Sequence, residues 1–430
     1  MKRTCLIFSI SLLILLSSIT IGQQSDALNV AIFLYDGIEL LDFSGPGEVF
    51  AATKGFNTYT VAISQDAIVS QGFVKVMPEY AIFNCPDPDI VVLSGGGTQK
   101  VSENESVINW IKSIADNNGI LLSVCTGAFI LSKAGLLDGK KATTWHGAIE
   151  RLQEATPKAT ILKGTRFVDN GRIITTAGVS AGIDGALHLV SKLKGMEEAE
   201  KTTKYMEYDK WEPKAGLIIE NELINKIRNK EIEQALKLYN NLESSETNRP
   251  PFYEGELINL GNEYLERNEF EDAVKVFELN LKEYPNSEAT LFSLAKTYEN
   301  MDKSNLAKKF YMDYLSKNQS DLEVVNKIGF DETIQLFETL SQNSKLKEAN
   351  INLLGYRLLQ AERITDAIKV FMLNVNAFPE SWNAYDSAAE AYMLNGENQT
   401  AVKYYKKSLE INPDNENAKE YLSKFNNQYN

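Results

Sequence analysis

Histidine and basic charge are both scarce in this 430-residue chain. Only His146 and His188 are present, so a histidine-rich metal site is excluded. Lys and Arg total 44 against 58 Asp and Glu, which leaves a net charge of -14. Because phosphate binding needs a basic surface, this balance argues against a nucleic-acid partner. Nothing in the composition calls for a metal or an organic cofactor.

Cysteine is also rare, and one of the three cysteines lies in an unusual N-terminal segment. Residues 1–4 are a short basic start, residues 5–16 are almost wholly apolar, and residues 17–24 are small or polar. This layout predicts a signal peptide over residues 1–24, cleaved near residues 22–24. The alternative is an uncleaved membrane anchor. Both interpretations place the protein outside the cytosol, in the periplasm or the extracellular space.

The two remaining cysteines, Cys85 and Cys125, would then lie in an oxidising compartment, where they could form a disulfide. Cys85 lies in a loop that precedes a strand pattern, whereas Cys125 ends another strand pattern. Their different positions relative to the strands disfavour the bridge, but the sequence leaves the pairing open.

Short apolar runs alternate with helical patterns from residue 29 onwards. Runs such as NVAIFLY, TYTVAIS, DIVVLSGGG and ILLSVC have the character of buried strands, and residues 105–117 have helical spacing. Strands that alternate with helices predict a largely parallel sheet covered by helices. We expect this α/β domain to occupy residues 27–206.

The character of the sequence changes after residue 206. Residues 207–253 are expected to form a linker and a degenerate helical pair, and no strand is expected after residue 215. A 34-residue period then appears in four windows, each with small and aromatic residues at the tetratricopeptide positions, over 254–287, 288–321, 348–381 and 382–415. The pattern predicts an all-α repeat solenoid over residues 254–428, interrupted at 322–347. Such arrays commonly bind peptides, so a protein partner is expected.

One stretch of the first domain has the pattern of a reactive centre. A buried strand, residues 120–124, ends at Cys125, and a helical pattern begins at Ala128. A strand that turns directly into a helix leaves its junction residue on a tight corner beside free helix amides. Those amides favour negative charge, so we predict a thiol that ionises readily. The alternative is an inert, packed cysteine.

Several segments resemble the ThiJ/PfpI superfamily, in particular its isocyanide hydratase-like branch. They are LYDGIELLDFSGPGEVF, VVLSGGG, SVCTGAFILSKAGLLDGKKATTWH and ITTAGVSAGIDGALHLV. The resemblance implies a flavodoxin-like, class I glutamine amidotransferase-like fold. The same segments resemble the N-terminal domain of some AraC-type regulators, but this sequence has no basic DNA-binding helix pair.

The resemblance also implies roles for four residues. Cys125 matches the nucleophile, and Asp42 matches the acid that hydrogen-bonds the cysteine and serves as general acid and base. The amides of Thr126 and Gly96 match an oxyanion pocket that would hold developing negative charge. No cofactor is implied, and a homodimer is possible because the family often dimerises.

The chain departs from its wider relatives in its histidines. Thr126 takes the place beside the cysteine where the protease branch has histidine. Many relatives carry Thr-Thr-His-Trp after the elbow helix, whereas this chain has Trp145 before His146. A triad through His146 therefore stays an alternative. His188 lies in an apolar helical stripe and is interpreted as a packed core residue, and Glu48 as part of a solvated helix face.

These observations predict an exported, cysteine-dependent hydratase or lyase acting on a small electrophilic substrate such as an isocyanide. Two alternatives remain open at this point. One is a redox-sensing or binding module in which Cys125 is oxidised. The other is glyoxalase-like or amidase-like chemistry on small carbonyl or amide compounds.

Overall fold

A computed structural model describes residues 27–243 and 250–429 of the chain. The predicted signal peptide lies outside these residues, as does Cys5. Within them, no helix has both the length and the apolar character needed to cross a membrane. The described residues divide into two compact units, one formed by 27–168 together with 172–185, the other by 169–171 together with 186–243 and 250–429.

The first unit is built around a parallel sheet. Its strands, in chain order, are β1 (Leu28–Phe33), β2 (Phe56–Ala62), β3 (Ile68–Ser70), β4 (Val74–Val76), β5 (Tyr80–Ala81), β6 (Ile90–Leu93), β7 (Ile120–Ser123), β8 (Lys141–Ala142), β9 (Thr160–Ile161), β10 (Phe167–Asp169) and β11 (Ile173–Thr176). Seven of them lie in the central sheet in the order β10-β11-β7-β6-β1-β2-β5. The pairs β3–β4 and β8–β9 form two small separate sheets.

Helices connect these strands. They are α1 (Leu40–Ala52), α2 (Thr98–Ser102), α3 (Glu105–Asp116), α4 (Ala128–Lys133), α5 (Ile149–Ala155) and α6 (Ala181–Lys194). Every residue of β6, β7 and β11 is buried. Strands that are apolar and buried on both faces are typical of a parallel sheet that helices cover on both sides. The predicted α/β, flavodoxin-like class is therefore confirmed.

The strand order places a crevice at the centre of the sheet. The chain builds outward from β1 through β2 and β5, and then continues on the other side of β1 with β6, β7 and β11. Parallel pairing aligns Phe33 with Leu93, Leu93 with Ser123, and Thr175 with Ser123. Four loops therefore leave the sheet at the same level, at the point where the strand order reverses. In open α/β sheets this is the position where ligands bind.

The second unit is almost entirely helical. Besides the short strand β12 (Leu217–Ile218), its helices are α7 (Met196–Tyr205), α8 (Glu222–Arg228), α9 (Ile232–Glu243), α10 (Glu254–Glu266), α11 (Phe270–Glu283), α12 (Glu288–Asn300), α13 (Ser304–Lys317), α14 (Leu322–Ile328), α15 (Phe330–Gln342), α16 (Glu348–Gln360), α17 (Ile364–Ala377), α18 (Trp382–Leu394), α19 (Asn398–Ile411) and α20 (Glu416–Tyr429). The expectation of no strand after residue 215 is wrong because of β12.

The four 34-residue windows coincide with four helical pairs. Each pair has a 13-residue and a 14-residue helix joined by a three-residue turn. The middle residue of that turn has a positive φ in every pair: Asn268, Asp302, Glu362 and Gly396. A left-handed residue at one fixed position reverses the chain in the same way each time. The predicted repeat solenoid is confirmed, with the break at 322–347 occupied by α14 and α15.

Close approach of the paired helices depends on small residues. A Cβ atom on Gly261 would lie 2.3 Å from the Phe277 ring, and one on Gly355 would lie 2.3 Å from the Phe371 ring. The two pairs occupy the same positions of their repeats. A small residue on the first helix thus receives an aromatic ring from the second, which buries both faces.

The division between the units differs from the predicted boundary at residue 206. The second half of α6 belongs to the helical unit, where Lys192 bonds Asp169 and lies 3.7 Å from the Glu256 carboxylate of α10. A Cβ on Gly255 would come within 2.4 Å of the Ser191 carbonyl oxygen, so α10 packs directly on this part of α6. Sequence periodicity along α6 gives no sign of this packing.

Candidate active site

Cys125 lies on the corner between β7 and the α4 region. Its φ is +56°, a left-handed conformation that is uncommon for a residue with a side chain. A 3-10 turn, Cys125–Gly127, follows the strand directly and leads into α4. The predicted strand-to-helix elbow is therefore present, and the strained residue is the cysteine itself.

The backbone around Cys125 is held at both ends of the residue. The Cys125 amide donates to the Ala177 carbonyl oxygen at 2.9 Å, and the Cys125 carbonyl oxygen accepts from the Thr144 hydroxyl at 2.6 Å. Strain of this kind persists only where surrounding contacts fix it, and it is characteristic of functional sites. Thr144 is 1 % exposed, so its hydroxyl is committed to this structural bond.

Asp42 lies in the first turn of α1, at the end of the loop that follows β1. Its side chain has no solvent exposure. One carboxylate oxygen, Oδ2, accepts from the Gly95 amide at 2.9 Å, and the other, Oδ1, accepts from the Val179 amide at 3.1 Å. The carboxylate also hydrogen-bonds the Cys125 thiol. The structure thus brings together the two residues that the family resemblance paired.

Burial controls the titration of Asp42. Desolvation, together with the negative charge of Glu39, raises the pKa of this carboxyl, and hydrogen bonds from Gly95, Cys125 and Val179 lower it, so that the net result is a pKa raised to about 6. A carboxyl with a pKa near 6 changes protonation state close to neutral pH, which suits a group that must both accept and return a proton.

The prediction that the thiol ionises readily is wrong. Burial and the adjacent Asp42 carboxylate raise the pKa of Cys125 to about 12, although hydrogen bonds from the Thr126 amide and hydroxyl lower it. The Thr126 amide that follows the elbow favours the thiolate, but burial and the Asp42 carboxylate outweigh it. The thiol at rest is therefore protonated at neutral pH.

Glycine is required where three loops converge on the thiol. A Cβ on Gly95 would lie 2.7 Å from both Asp42 Oδ2 and Cys125 Cβ. A Cβ on Gly127 would lie 1.9 Å from the Leu93 carbonyl oxygen. Contacts below 3.0 Å with backbone or with fixed side chains cannot be relieved locally, so these glycines permit the close approach of acid and thiol.

The predicted oxyanion donors have specific partners in this structure. The Gly96 amide donates to the Thr126 hydroxyl oxygen at 3.1 Å, and the Thr126 amide hydrogen-bonds the thiol. The Thr126 amide thus contacts the thiol, whereas the Gly96 amide contacts the Thr126 side chain. Their role in stabilising an adduct stays a prediction.

The turn after β11 supplies a contact that the sequence did not predict. Val179 has a φ of +53°, an outlier for a β-branched residue, and its amide is the donor to Asp42. Arg166 holds this turn, since its carbonyl oxygen accepts from the Ala177 amide at 2.9 Å and its Nε donates to Asp184 at 2.6 Å. Because a backbone amide makes the contact, no side-chain type in the sequence could reveal it.

Apolar side chains are partly exposed beside the site. Trp145, adjacent to Thr144, is 39 % exposed, and its indole ring packs where a Cβ on Gly178 would lie, 2.6 Å away. Val179 is 37 % exposed. Trp145 directly follows Thr144, which bonds Cys125, and Val179 carries the amide that bonds Asp42.

Neither histidine is among the main groups that shift the pKa of the Cys125 thiol. His146 is exposed and lies beside Trp145, with ring centroids 4.9 Å apart. His188 is buried and its Nε2 lies 2.7 Å from Asp169 Oδ2, which confirms its interpretation as a packed, hydrogen-bonded residue. Glu48 is exposed, as expected of a solvated helix face. The thiols of Cys85 and Cys125 are both free.

Comparison with known proteins identifies both parts of the chain. Residues 28–192 match the DJ-1/PfpI family, and residues 383–415 match a tetratricopeptide repeat. The chain is similar to isonitrile hydratase of Pseudomonas putida, with 31% identity over 186 residues that cover 42% of this chain and 79% of the hydratase.

Two further relatives complete the comparison. The HTH-type transcriptional regulator GbdR of Pseudomonas aeruginosa is 24% identical over 194 residues, which cover 44% of this chain and 53% of GbdR, so the chain spans about half the length of that regulator. A crystal structure of a ThiJ/PfpI family protein from Pseudomonas syringae shares 28% identity and a TM-score of 0.41, covering 49% of this chain and 87% of that one. The chain therefore belongs to the DJ-1/PfpI family and carries a tetratricopeptide-repeat region after its DJ-1/PfpI domain.

Proposed function

We propose that this protein is an exported, cysteine-dependent hydratase that adds water to a small electrophilic carbon compound of the isocyanide type. The observation that carries the proposal is the buried Asp42 carboxylate, hydrogen-bonded to the Cys125 thiol and oriented by two backbone amides. The similarity to isonitrile hydratase supports the choice of substrate class.

In the first step the Cys125 sulfur attacks the terminal carbon of the isocyanide. The thiol proton passes to the Asp42 carboxylate as the sulfur–carbon bond forms, because a thiol with a pKa of about 12 needs a base to react at neutral pH. Asp42 then delivers this proton to the same carbon. The product is a thioimidate bound covalently to Cys125, and Asp42 has given up the proton that it took from the thiol.

Water completes the reaction. Asp42, again a carboxylate, takes a proton from the attacking water as the hydroxyl adds to the thioimidate carbon, and it passes this same proton to the nitrogen. Asp42 is then a carboxylate once more. When the carbon–sulfur bond breaks, the hydroxyl proton returns through Asp42 to the sulfur. An N-substituted formamide is released, which accounts for one isocyanide and one water.

The surroundings of the thiol support a neutral substrate with an apolar substituent. Trp145 and Val179 present partly exposed apolar surface next to the site, and the carboxylate of Asp42 disfavours an anionic ligand there. The Thr126 and Gly96 amides would stabilise negative charge that develops during addition and collapse.

A redox-sensing function at Cys125 is less consistent with these features. Oxidation to a sulfenic acid proceeds through the thiolate, and the pKa of about 12 leaves little thiolate at neutral pH. Glyoxalase-like and amidase-like reactions would use the same thiol and acid, so substrate assays must separate them from hydration.

The experiment is a turnover assay on a panel of isocyanides, 2-oxoaldehydes and small amides with wild type, Cys125→Ala and Asp42→Asn. We expect formamide production from isocyanides by the wild type and its loss in both variants. Turnover of oxoaldehydes or amides alone would replace the proposed reaction. No turnover, together with reversible sulfenic acid at Cys125, would favour sensing.

We also propose that the protein is exported and forms a homodimer. Its repeats are proposed to bind a partner protein. A mature N-terminus near residues 22–24 on N-terminal sequencing would support export, and recovery of residue 1 from the cytosol would contradict it. Light scattering would give a mass near twice the chain mass of 48.1 kDa for a homodimer. Helices α18, α19 and α20 of the repeat array indicate the chemical class of the protein that the repeats bind.

A further inference from the structure

A groove runs along the end of the repeat array, among the last three helices. Its volume is about 430 Å³, a size that accommodates a few side chains of a ligand. The lining groups that matter here are two carboxylates, one thioether and three aromatic rings: Glu390, Glu420, Met393, Tyr405, Tyr421 and Phe425. They come from α18, α19 and α20, which all belong to the helical unit.

Aromatic rings form one side of this groove. The ring centroids of Tyr405 and Tyr421 are 4.6 Å apart, and those of Tyr421 and Phe425 are 6.3 Å apart. The Tyr421 hydroxyl donates to the side-chain oxygen of Asn398 at 3.1 Å, which fixes the middle ring. The face of an aromatic ring attracts a cation placed within about 6 Å of its centroid.

Negative charge surrounds the rings. Asp386, only 8 % exposed, accepts from the side-chain amides of Asn415 at 2.7 Å and Asn417 at 2.9 Å. Neutral amides orient this carboxylate without cancelling its charge. Glu390 adds a second carboxylate from the same helix, and after burial these two charges are the largest causes that raise the pKa of Tyr405.

The groove also contains a cation that can be displaced. Lys424 pairs with Glu420 one helical turn away, and the two side chains are 73% and 68% exposed. Exposed pairs of this kind are weak, because water and mobile side chains compete with them. A ligand cation that also contacts the rings would therefore replace Lys424 at Glu420.

We propose that this groove binds a basic segment of a partner protein, with an arginine side chain on the faces of Tyr421 and Phe425 and within reach of Glu390 and Glu420. Arginine fits better than lysine because its planar guanidinium stacks on rings and bonds carboxylates in pairs. The inference rests on the proposed protein-binding role of the repeats and is independent of the reaction at Cys125.

The test is fluorescence anisotropy of the full chain with the labelled peptide Gly-Ser-Arg-Gly-Arg-Ser-Gly at about 0.15 M salt, where general charge attraction is screened. Versions with Gln or Glu in place of both arginines are measured in parallel. We expect binding of the arginine peptide only. Glu390→Gln and Phe425→Ala should each weaken it by about tenfold or more.

Glu338→Gln is the matched control, since Glu338 is an exposed residue of α15 whose replacement changes the net charge equally. Its affinity should stay within about twofold of wild type, which is a difference below 0.5 kcal/mol. Cys125→Ala should bind the peptide like the wild type.

Three outcomes would overturn the inference. Absence of arginine-peptide binding rejects the groove as a cation site, and equal weakening by Glu390→Gln and Glu338→Gln attributes binding to overall charge. Binding of the Gln or Glu peptide, sensitive to Phe425→Ala, would keep a protein-binding role for the repeats while rejecting a basic partner.

Discussion

Two buried aspartates, one in each unit, show how the same side chain acquires opposite properties. Asp42 and Asp169 both have no solvent exposure. Asp42 contacts amides and a thiol, and its pKa rises to about 6. Asp169 contacts the Lys192 ammonium and His188, each at 2.7 Å, and its pKa falls to about 2 despite burial.

The difference lies in the charge of the neighbours. Backbone amides and a thiol only partly replace the water that Asp42 loses, so the carboxylate stays basic enough to take a proton. The buried Lys192 ammonium beside Asp169 makes the carboxylate the stable form of this residue. The ion pair also links α6 to the turn that follows Asp169. The first arrangement suits proton transfer, and the second suits structure.

The largest expected effect comes from Asp42→Asn. It should lower turnover of the accepted isocyanide by at least about a thousandfold, because Asp42 is the group proposed to take the thiol proton. Steady-state kinetics provide the measurement, and near-native circular dichroism is the folding control. Activity within tenfold of wild type would remove Asp42 from the reaction.

Asp169→Asn should mainly affect stability. It leaves the Lys192 cation buried with only the more distant Glu256 carboxylate as a counter-charge, which costs about 3–5 kcal/mol. The measurement is the shift of the urea unfolding midpoint. Asp138→Asn is the control, since the exposed Asp138–Lys158 pair should contribute little. Equal shifts in the two variants would contradict the account.

The two aspartates should also separate on a pH scale. The proposed hydration at Cys125 requires ionised Asp42, so we expect kcat/KM to fall about tenfold per pH unit below pH 6 and to level off above it. Asp169 has a depressed pKa, so its stabilising contribution is complete above its unfolded pKa of about 3.9 and is lost as pH falls towards 2. Activity lost together with folding near pH 4 would contradict this separation.

Glu39→Gln should give the smallest effect. The Glu39 charge raises the pKa of Asp42, so its removal should move the acid limb of the pH–rate profile downwards by less than about one unit. Glu48→Gln, a change on the exposed face of α1, should leave the pH–rate profile unchanged. An upward shift in Glu39→Gln would show that the electrostatic account of Asp42 is wrong.

The sequence predicted the fold of the repeats best, because the same residue pattern recurs in each of the four repeat units. The elbow at Cys125 and its pairing with Asp42 were also predictable, the first from a strand that runs into a helix and the second from resemblance. The Val179 contact was not, because a backbone amide makes it. Nor was the thiol pKa, which depends on burial against a carboxylate 83 positions earlier in the chain.

The most direct test of the acid–thiol pair is alkylation of Cys125 by iodoacetamide, followed by peptide mapping so that Cys85 is counted separately. In the wild type the rate should rise about tenfold per pH unit up to pH 10, since the thiol pKa is about 12. Iodoacetamide reacts with thiolate that is already present, and the Asp42 charge raises the thiol pKa and so lowers the thiolate fraction. Asp42→Asn should therefore be alkylated faster at pH 8 although it has lost the turnover that depends on proton transfer. An alkylation rate that is unchanged or slower in Asp42→Asn would contradict the central claim that the Asp42 carboxylate controls the ionisation of the Cys125 thiol.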